Sequence, residues 1–149
     1  MLLEMAFVQH LLTSSITDPE TELEHHCLIE NAIYEAANEG SKGMRLVTEV
    51  VLNRYDAEYR SDSTYCGTVY HKLQFSWTRV PKNKRRQYTQ DEYLKAAQVV
   101  FSYMYGDLNR ILPRNVKHYL NKAEANDQSW YRSEQVVYQY KNHEFLVVN

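Results

Sequence analysis

Cysteine is scarce: Cys27 and Cys66 are the two copies in 149 residues. They allow one disulfide and make no metal site by themselves. Cytoplasmic synthesis would keep them reduced and periplasmic work would permit oxidation, so the sequence leaves their pairing open. Long apolar runs are also missing, and no stretch reaches the length of a membrane span. Met1–Leu12 is apolar, but it lacks a basic start and a small-residue cleavage site, and Glu4, Gln9 and His10 interrupt it. A short amphipathic helix is expected there rather than a signal peptide, in a protein made in the cytoplasm with no export route of its own. Neither sign of charge dominates. A net charge of −2 gives no case for nucleic-acid binding, although Lys82-Asn83-Lys84-Arg85-Arg86 is a local basic run. It reads as a solvated loop after Pro81, with contact to an anionic polymer or membrane surface as the alternative. The zinc-binding helix signature His-Glu-x-x-His is absent despite six histidines, and the adjacent His25 and His26 point in different directions on a helix. No metal and no cofactor are expected.

What is present is one domain's worth of chain with an ordinary balance of 44% hydrophobic and 24% charged residues, enough to bury a core without staples. Residues 1–20 read as an N-terminal extension and 21–149 as the core, with no repeat or linker dividing them. Asp18-Pro19-Glu20 makes a helix start, with Asp18 as cap and Pro19 at the first helical position. Ile29, Ile33, Ala36 and Ala37 then recur at the spacing of one buried helical face, and no Pro or Gly interrupts them. Gly40 supplies a residue tolerant of positive φ after the helix, and Ser41 can cap the next one. That second helix repeats the pattern with Met44, Val47, Val50, Val51 and Arg54, and Arg45 can pair with Glu49 one turn on.

Further along, Cys66–Lys72 predicts a short helix, Gln74–Trp77 a loop and Pro81–Gln90 an exposed basic loop. Asp91–Tyr105 carries a continuous apolar stripe ended by Gly106. After an irregular segment leading to His118-Tyr119, the runs Val136–Tyr140 and His143–Val147 flank Lys141-Asn142 as a two-residue hairpin. The expected class is therefore mainly α with some β (α+β), a helical domain with a small C-terminal hairpin. Glu35 sits beside the Ile33/Ala36 edge of the first helix. Partial burial would raise the pKa of its carboxyl group, as a general acid working near neutral pH requires. The 13 tyrosines are mostly packing residues, though amphipathic rings also suit a sugar cleft.

Several motifs recur in order: Cys27-Leu28-x-x-Asn31, Glu35-Ala36, Glu39, Gly43, Val50-Val51-Leu52-Asn53-Arg54, Cys66-Gly67-Thr68-Val69-Tyr70, Gln74-Phe75-Ser76-Trp77, His118-Tyr119 and Asn142-His143-x-Phe145. In this set the chain resembles the cell-wall hydrolase family typified by the spore-cortex-lytic enzyme SleB, over about residues 27–146. It departs from the family's usual Glu-Ala-Arg-Gly-Glu at Ala37 and Asn38.

The resemblance implies a lysozyme-like fold and peptidoglycan as partner, cleaved between N-acetylmuramic acid and N-acetylglucosamine by lytic transglycosylation. Glu35 is then the single acid/base, a role that needs no second carboxylate. Phe75, Ser76 and Trp77 would meet the sugar, or Trp77 would close the core. Tyr119 would bond the acid or an N-acetyl group, and Asn142 would orient substrate or make the hairpin turn. Glu39, His118 and His143 are supporting candidates, with Glu39 expected to bind backbone N–H groups around Ser41. Adjacent turns of one helix place Glu35 and Glu39 side by side rather than on opposite sides of a bond. The rival readings are a lysozyme-type muramidase, a zinc amidase or endopeptidase, and a wall-binding module without activity. The short chain suggests a monomeric phage endolysin that a holin would release to the periplasmic wall.

Overall fold

Asp18 opens the first helix. Its side chain accepts the backbone N–H of Thr21 at 2.9 Å, and Pro19 takes the first helical position, so α1 spans Pro19–Ala36 as the local signals require. The structure, a computed structural model, describes residues 18–149 apart from Leu73 and Asp107. The amphipathic helix expected at Met1–Leu12 lies outside the described residues.

Four α-helices follow one another among the described residues: α1, α2 (Gly40–Asp56), the short α3 (Tyr65–Val69) and α4 (Gln90–Tyr105). A three-stranded antiparallel sheet closes the chain: β1 (His118–Asn121), β2 (Val136–Tyr140) and β3 (His143–Leu146), in the order β1-β3-β2. The class is mainly α with a small β element, as composition and periodicity predict.

Leu28, Ile29, Ala32, Ile33 and Ala36 of α1 pack against Met44, Val47, Val51 and Leu52 of α2 and against Ala96, Ala97, Val100 and Phe101 of α4. The opposite side of α2 is also covered. Leu46 and Val50 join Leu112, Val116 and Phe145 in a second cluster beneath the sheet. Helix α2 is thus buried nearly all round between the helical layer and the sheet, which is why its polar residues Thr48, Glu49, Asn53 and Arg54 are buried too.

The corner between α1 and α2 differs from expectation in one respect. The chain passes through a 3₁₀ turn at Ala37–Glu39, Gly40 takes φ +77°, and α2 starts at Gly40 itself. Ser41 therefore lies inside the first turn and does not cap the helix; α2 has no side-chain cap. The corner is held from outside instead, where the Glu39 carbonyl accepts from Tyr140 Oη at 3.2 Å and Lys141 Nζ at 3.3 Å.

The expected Arg45–Glu49 pair is replaced as well. Arg45 donates to Tyr103 Oη at 3.1 Å and to the Asn109 carbonyl at 2.9 Å. Glu49, fully buried, accepts from Tyr103 Oη and from the backbone N–H groups of Ile111 (3.1 Å) and Leu112 (2.8 Å). A buried carboxylate is tolerated when its oxygens are bonded in this way, and here the bonds go to an irregular segment that has no ladder of its own.

Thr89 and Glu92 form a capping box that starts α4. The hairpin turns at Lys141-Asn142, with Lys141 at φ 51°. Strand β1, read from sequence as the end of an irregular segment, pairs with β3 in the register Tyr119↔Phe145 and Asn121↔His143.

Cys27 of α1 and Cys66 of α3 form a disulfide with their Cα atoms 5.2 Å apart. The residues are 39 apart in sequence, and closing a loop of that length removes unfolded-state entropy equivalent to about 4 kcal/mol. Reduction is therefore expected to lower the melting temperature by on the order of 10 °C, measured by calorimetry with and without dithiothreitol. An unchanged midpoint would show that the bond constrains nothing.

Candidate active site

Glu35 lies in the last turn of α1, half-buried, and the C-terminal sheet is folded over it. Tyr119 of β1 donates its hydroxyl to Glu35 Oε1 at 2.7 Å. Burial raises the pKa of the Glu35 carboxyl group above the ordinary carboxylate value, while the Tyr119 hydrogen bond, His143 and Arg54 pull in the other direction without cancelling it. The Tyr119 phenol is itself pushed well above its usual range by burial and by the adjacent Glu35. It therefore stays protonated and remains a donor to the acid.

Around this pair the strands bring distant residues together. The Tyr119 ring packs 5.5 Å from Phe145 and 5.7 Å from His143, centroid to centroid. His143 Nδ1 stands 2.6 Å from Glu39 Oε1. The Glu39 side chain lies over Gly43, where an added Cβ would come within 2.5 Å of Glu39 Cβ, so that glycine makes room for the carboxylate. Glu39 thus meets His143 rather than backbone N–H groups around Ser41. Glu35, Tyr119, His143 and Glu39 form one contiguous polar group where the α1–α2 corner meets the sheet.

The other candidates fall elsewhere. Phe75 and Trp77, expected to stack on a sugar, are 2% and 7% exposed. Trp77 donates Nε1 to Asn31 Oδ1 at 2.9 Å and packs 4.7 Å from the Tyr34 ring, and the Arg54 guanidinium lies 5.2 Å from the Phe75 ring. These rings plug the core, and Ser76 between them is exposed in a 3₁₀ turn. Asn142 is exposed in the hairpin turn, where its carbonyl accepts from Lys122 at 2.6 Å.

His118 neighbours Tyr119 in the strand and so projects to the other face of the sheet. It sits between Tyr59 and Trp130, with Nε2 3.2 Å from Tyr59 Oη. Burial and the nearby cations Arg54, Arg60 and Lys117 push its pKa down to about 4. Arg54 went unassigned in sequence, although it closes the Val50–Arg54 motif. It is buried, donates Nε to the Lys117 carbonyl at 2.8 Å, and its charge is felt at Glu35. Among the described residues no three His, Cys, Asp or Glu side chains are grouped to hold a metal.

Residues 38–146 match the family described as Cell Wall Hydrolase. The chain belongs to that family. No curated protein and no solved structure is significantly similar to it. The matched span includes α2, α3, α4 and the whole sheet, and with them Glu39, Gly43, Arg54, Tyr119 and His143; it begins just after Glu35. This cell wall hydrolase is accordingly a peptidoglycan-cleaving enzyme. No helix among its described residues is long and apolar enough to cross a membrane.

The raised pKa of Glu35 has a consequence for stability. A carboxyl group whose pKa is higher folded than unfolded stabilises the fold in acid, and that contribution is lost as pH rises from the unfolded value through the folded one. The cost grows through that window and is larger at neutral pH than in acid. Glu35→Gln should therefore melt above wild type at pH 7, with the gap closing below pH 4. A gap independent of pH would show that Glu35 is not the source. Tyr119→Phe removes the bond that favours the carboxylate, so the Glu35 titration followed by ¹³C NMR should move upward. A downward move would contradict the assigned hydrogen bond.

Proposed function

We propose that this cell wall hydrolase cuts the β-1,4 bond between N-acetylmuramic acid and N-acetylglucosamine with Glu35 as its single acid/base, leaving 1,6-anhydro ends. The observation that carries this reading is the half-buried Glu35 carboxyl group with a raised pKa and a Tyr119 hydroxyl fixed on Oε1. With Tyr119 bonded to Oε1, the acid's proton resides on Oε2. That oxygen protonates the glycosidic oxygen as the bond from C1 breaks. The resulting carboxylate then takes the proton from the muramic 6-hydroxyl as its oxygen bonds to C1. The proton returns to Glu35, no water is consumed, and the product is one water lighter than a hydrolysed end.

The reading needs no carboxylate on the far side of the sugar, and Glu39 stands on the same corner as Glu35, engaged by His143. That engagement also supports a second reading. Glu39, held at a fixed position beside the acid, could serve a hydrolytic water, as in a lysozyme-type muramidase. A wall-binding module without activity has no comparable support, since nothing in pure binding calls for an acid tuned in this way.

The test is mass spectrometry of fragments released from purified peptidoglycan, with EDTA present throughout. Anhydro ends from wild type, reduced by about 10²–10⁴ in Glu35→Gln, are the expected result. Hydrated ends would transfer the second role to Glu39. Release of peptides without glycan cleavage, lost to EDTA, would replace the glycosidase reading with a zinc amidase.

A further inference from the structure

We propose that Arg54, Arg60 and Lys117, framed by Tyr59, His118 and Trp130, bind the carboxylates of the peptide stems that branch from muramic acid, so that the enzyme reads peptide-bearing glycan rather than bare sugar. The inference rests on the placement of glycan cleavage at Glu35.

Arg60 and Lys117 share one aromatic ring, Arg54 lies on Phe75, and the charges of all three reach His118. The Arg60 guanidinium lies 5.0 Å and Lys117 Nζ 5.6 Å from the centroid of the Tyr59 ring, and Arg54 is bonded to the backbone of Lys117. Arg86 pairs with Glu92, Lys95 with Asp91, and Arg110 and Arg114 with Asp56. Among the described residues no carboxylate lies within ion-pair distance of Arg54, Arg60 or Lys117. Gathering like charges without a counter-ion is unfavourable, and an incoming anion relieves it.

A second observation points the same way. Arg54 is 5% exposed, and its Nη1 has no hydrogen-bond partner; His118 Nδ1, also buried, has none either. Buried polar groups left open in this manner are rare and call for a reason. The backbone carrying Tyr59 and Arg60 is unusual as well. Glu58 and Arg60 take φ values of 52° and 49°, a left-handed conformation that side-chain-bearing residues seldom adopt.

Position then selects the ligand. Lys117 and Tyr119 are separated by one residue, which spans about 7 Å along an extended chain; His118 between them faces the other side of the sheet, so the patch lies across β1 from the partner of the acid. On the substrate the stem begins at the lactyl group of the same muramic ring whose C1 is cleaved. Its free carboxylates are the anions closest to the scissile bond.

The test uses sacculi free of teichoic acid, either native or with their carboxylates converted to methylamides. Binding is measured for Glu35→Gln and for the same chain carrying Arg60→Gln and Lys117→Gln, both checked for folding by thermal melts. Neutralising the carboxylates should weaken binding of Glu35→Gln about tenfold. The added substitutions should weaken binding to native sacculi equally and leave binding to neutralised sacculi unchanged. An unaffected parent, a variant that still discriminates, or equal loss on both materials would overturn the proposal. So would stronger competition by soluble teichoic acid than by free stem peptide, which would assign the patch to phosphate. Failure of the wild-type chain to release glycan fragments would sink the cleavage reading instead, and the binding comparison would still stand.

Discussion

The hydrogen bond from Tyr119 to Glu35 depends on a strand of four residues staying in place at the edge of a sheet. Edge strands of that length contribute little stability by themselves. Here β1 is fastened from both sides. Strand β3 pairs with it, while helix α2 secures the segment that leads into it: Asn53 donates to the carbonyls of Pro113 and Val116, Arg54 to that of Lys117, and Glu49 accepts from Ile111 and Leu112. Each such bond is worth about 1 kcal/mol net, and more than that is lost when one partner is removed and the other stays buried. The acid's environment is therefore set by side chains that never touch it.

This arrangement explains why a helix buried on both sides carries Glu49, Asn53 and Arg54. An all-apolar α2 would pack the two clusters equally well, but the backbone of residues 110–117 would then lose its partners. The polar residues of α2 stand in for a strand neighbour. Two apolar clusters, one against α1 and α4 and one under the sheet, hold the helix while its polar side chains specify where the irregular segment runs.

What the sequence made legible was local. The cap at Asp18, the corner at Gly40, the stripe of α4, the two-residue hairpin and the half-buried Glu35 all follow from residues within a few positions of one another, where periodicity and turn chemistry act. Strand β1 left no such mark, because its pairing with β3 is written in residues more than twenty positions downstream. The sequence leaves the places of Phe75 and Trp77, sugar contacts with a core-closing Trp77 as the alternative, undecided for a related reason. An aromatic and polar loop has the same composition whether it lines a cleft or plugs a core, and the deciding partners, Asn31 and Arg54, come from other helices. Glu49 lost its expected helical neighbour to Tyr103 and to backbone donors that no spacing rule brings near. The cysteine pair was legible as a possibility only, since redox state is not encoded in spacing.

The two departures from the family pattern, Ala37 and Asn38, can be judged on the same grounds. Where the pattern has Gly, Asn38 shows no positive φ; the left-handed residue of this corner is Gly40, so the backbone loses nothing by the exchange. Where the pattern has Arg, Ala37 has φ −58° and packs against the helical core. A cation is nevertheless present near the acid, because Arg54 reaches it from α2. A long charged side chain at position 37 would have to leave the core edge that Ala37 occupies. The substitution thus exchanges a local cation for packing, and leaves the electrostatics of Glu35 to a buried residue fixed by the same segment that positions Tyr119.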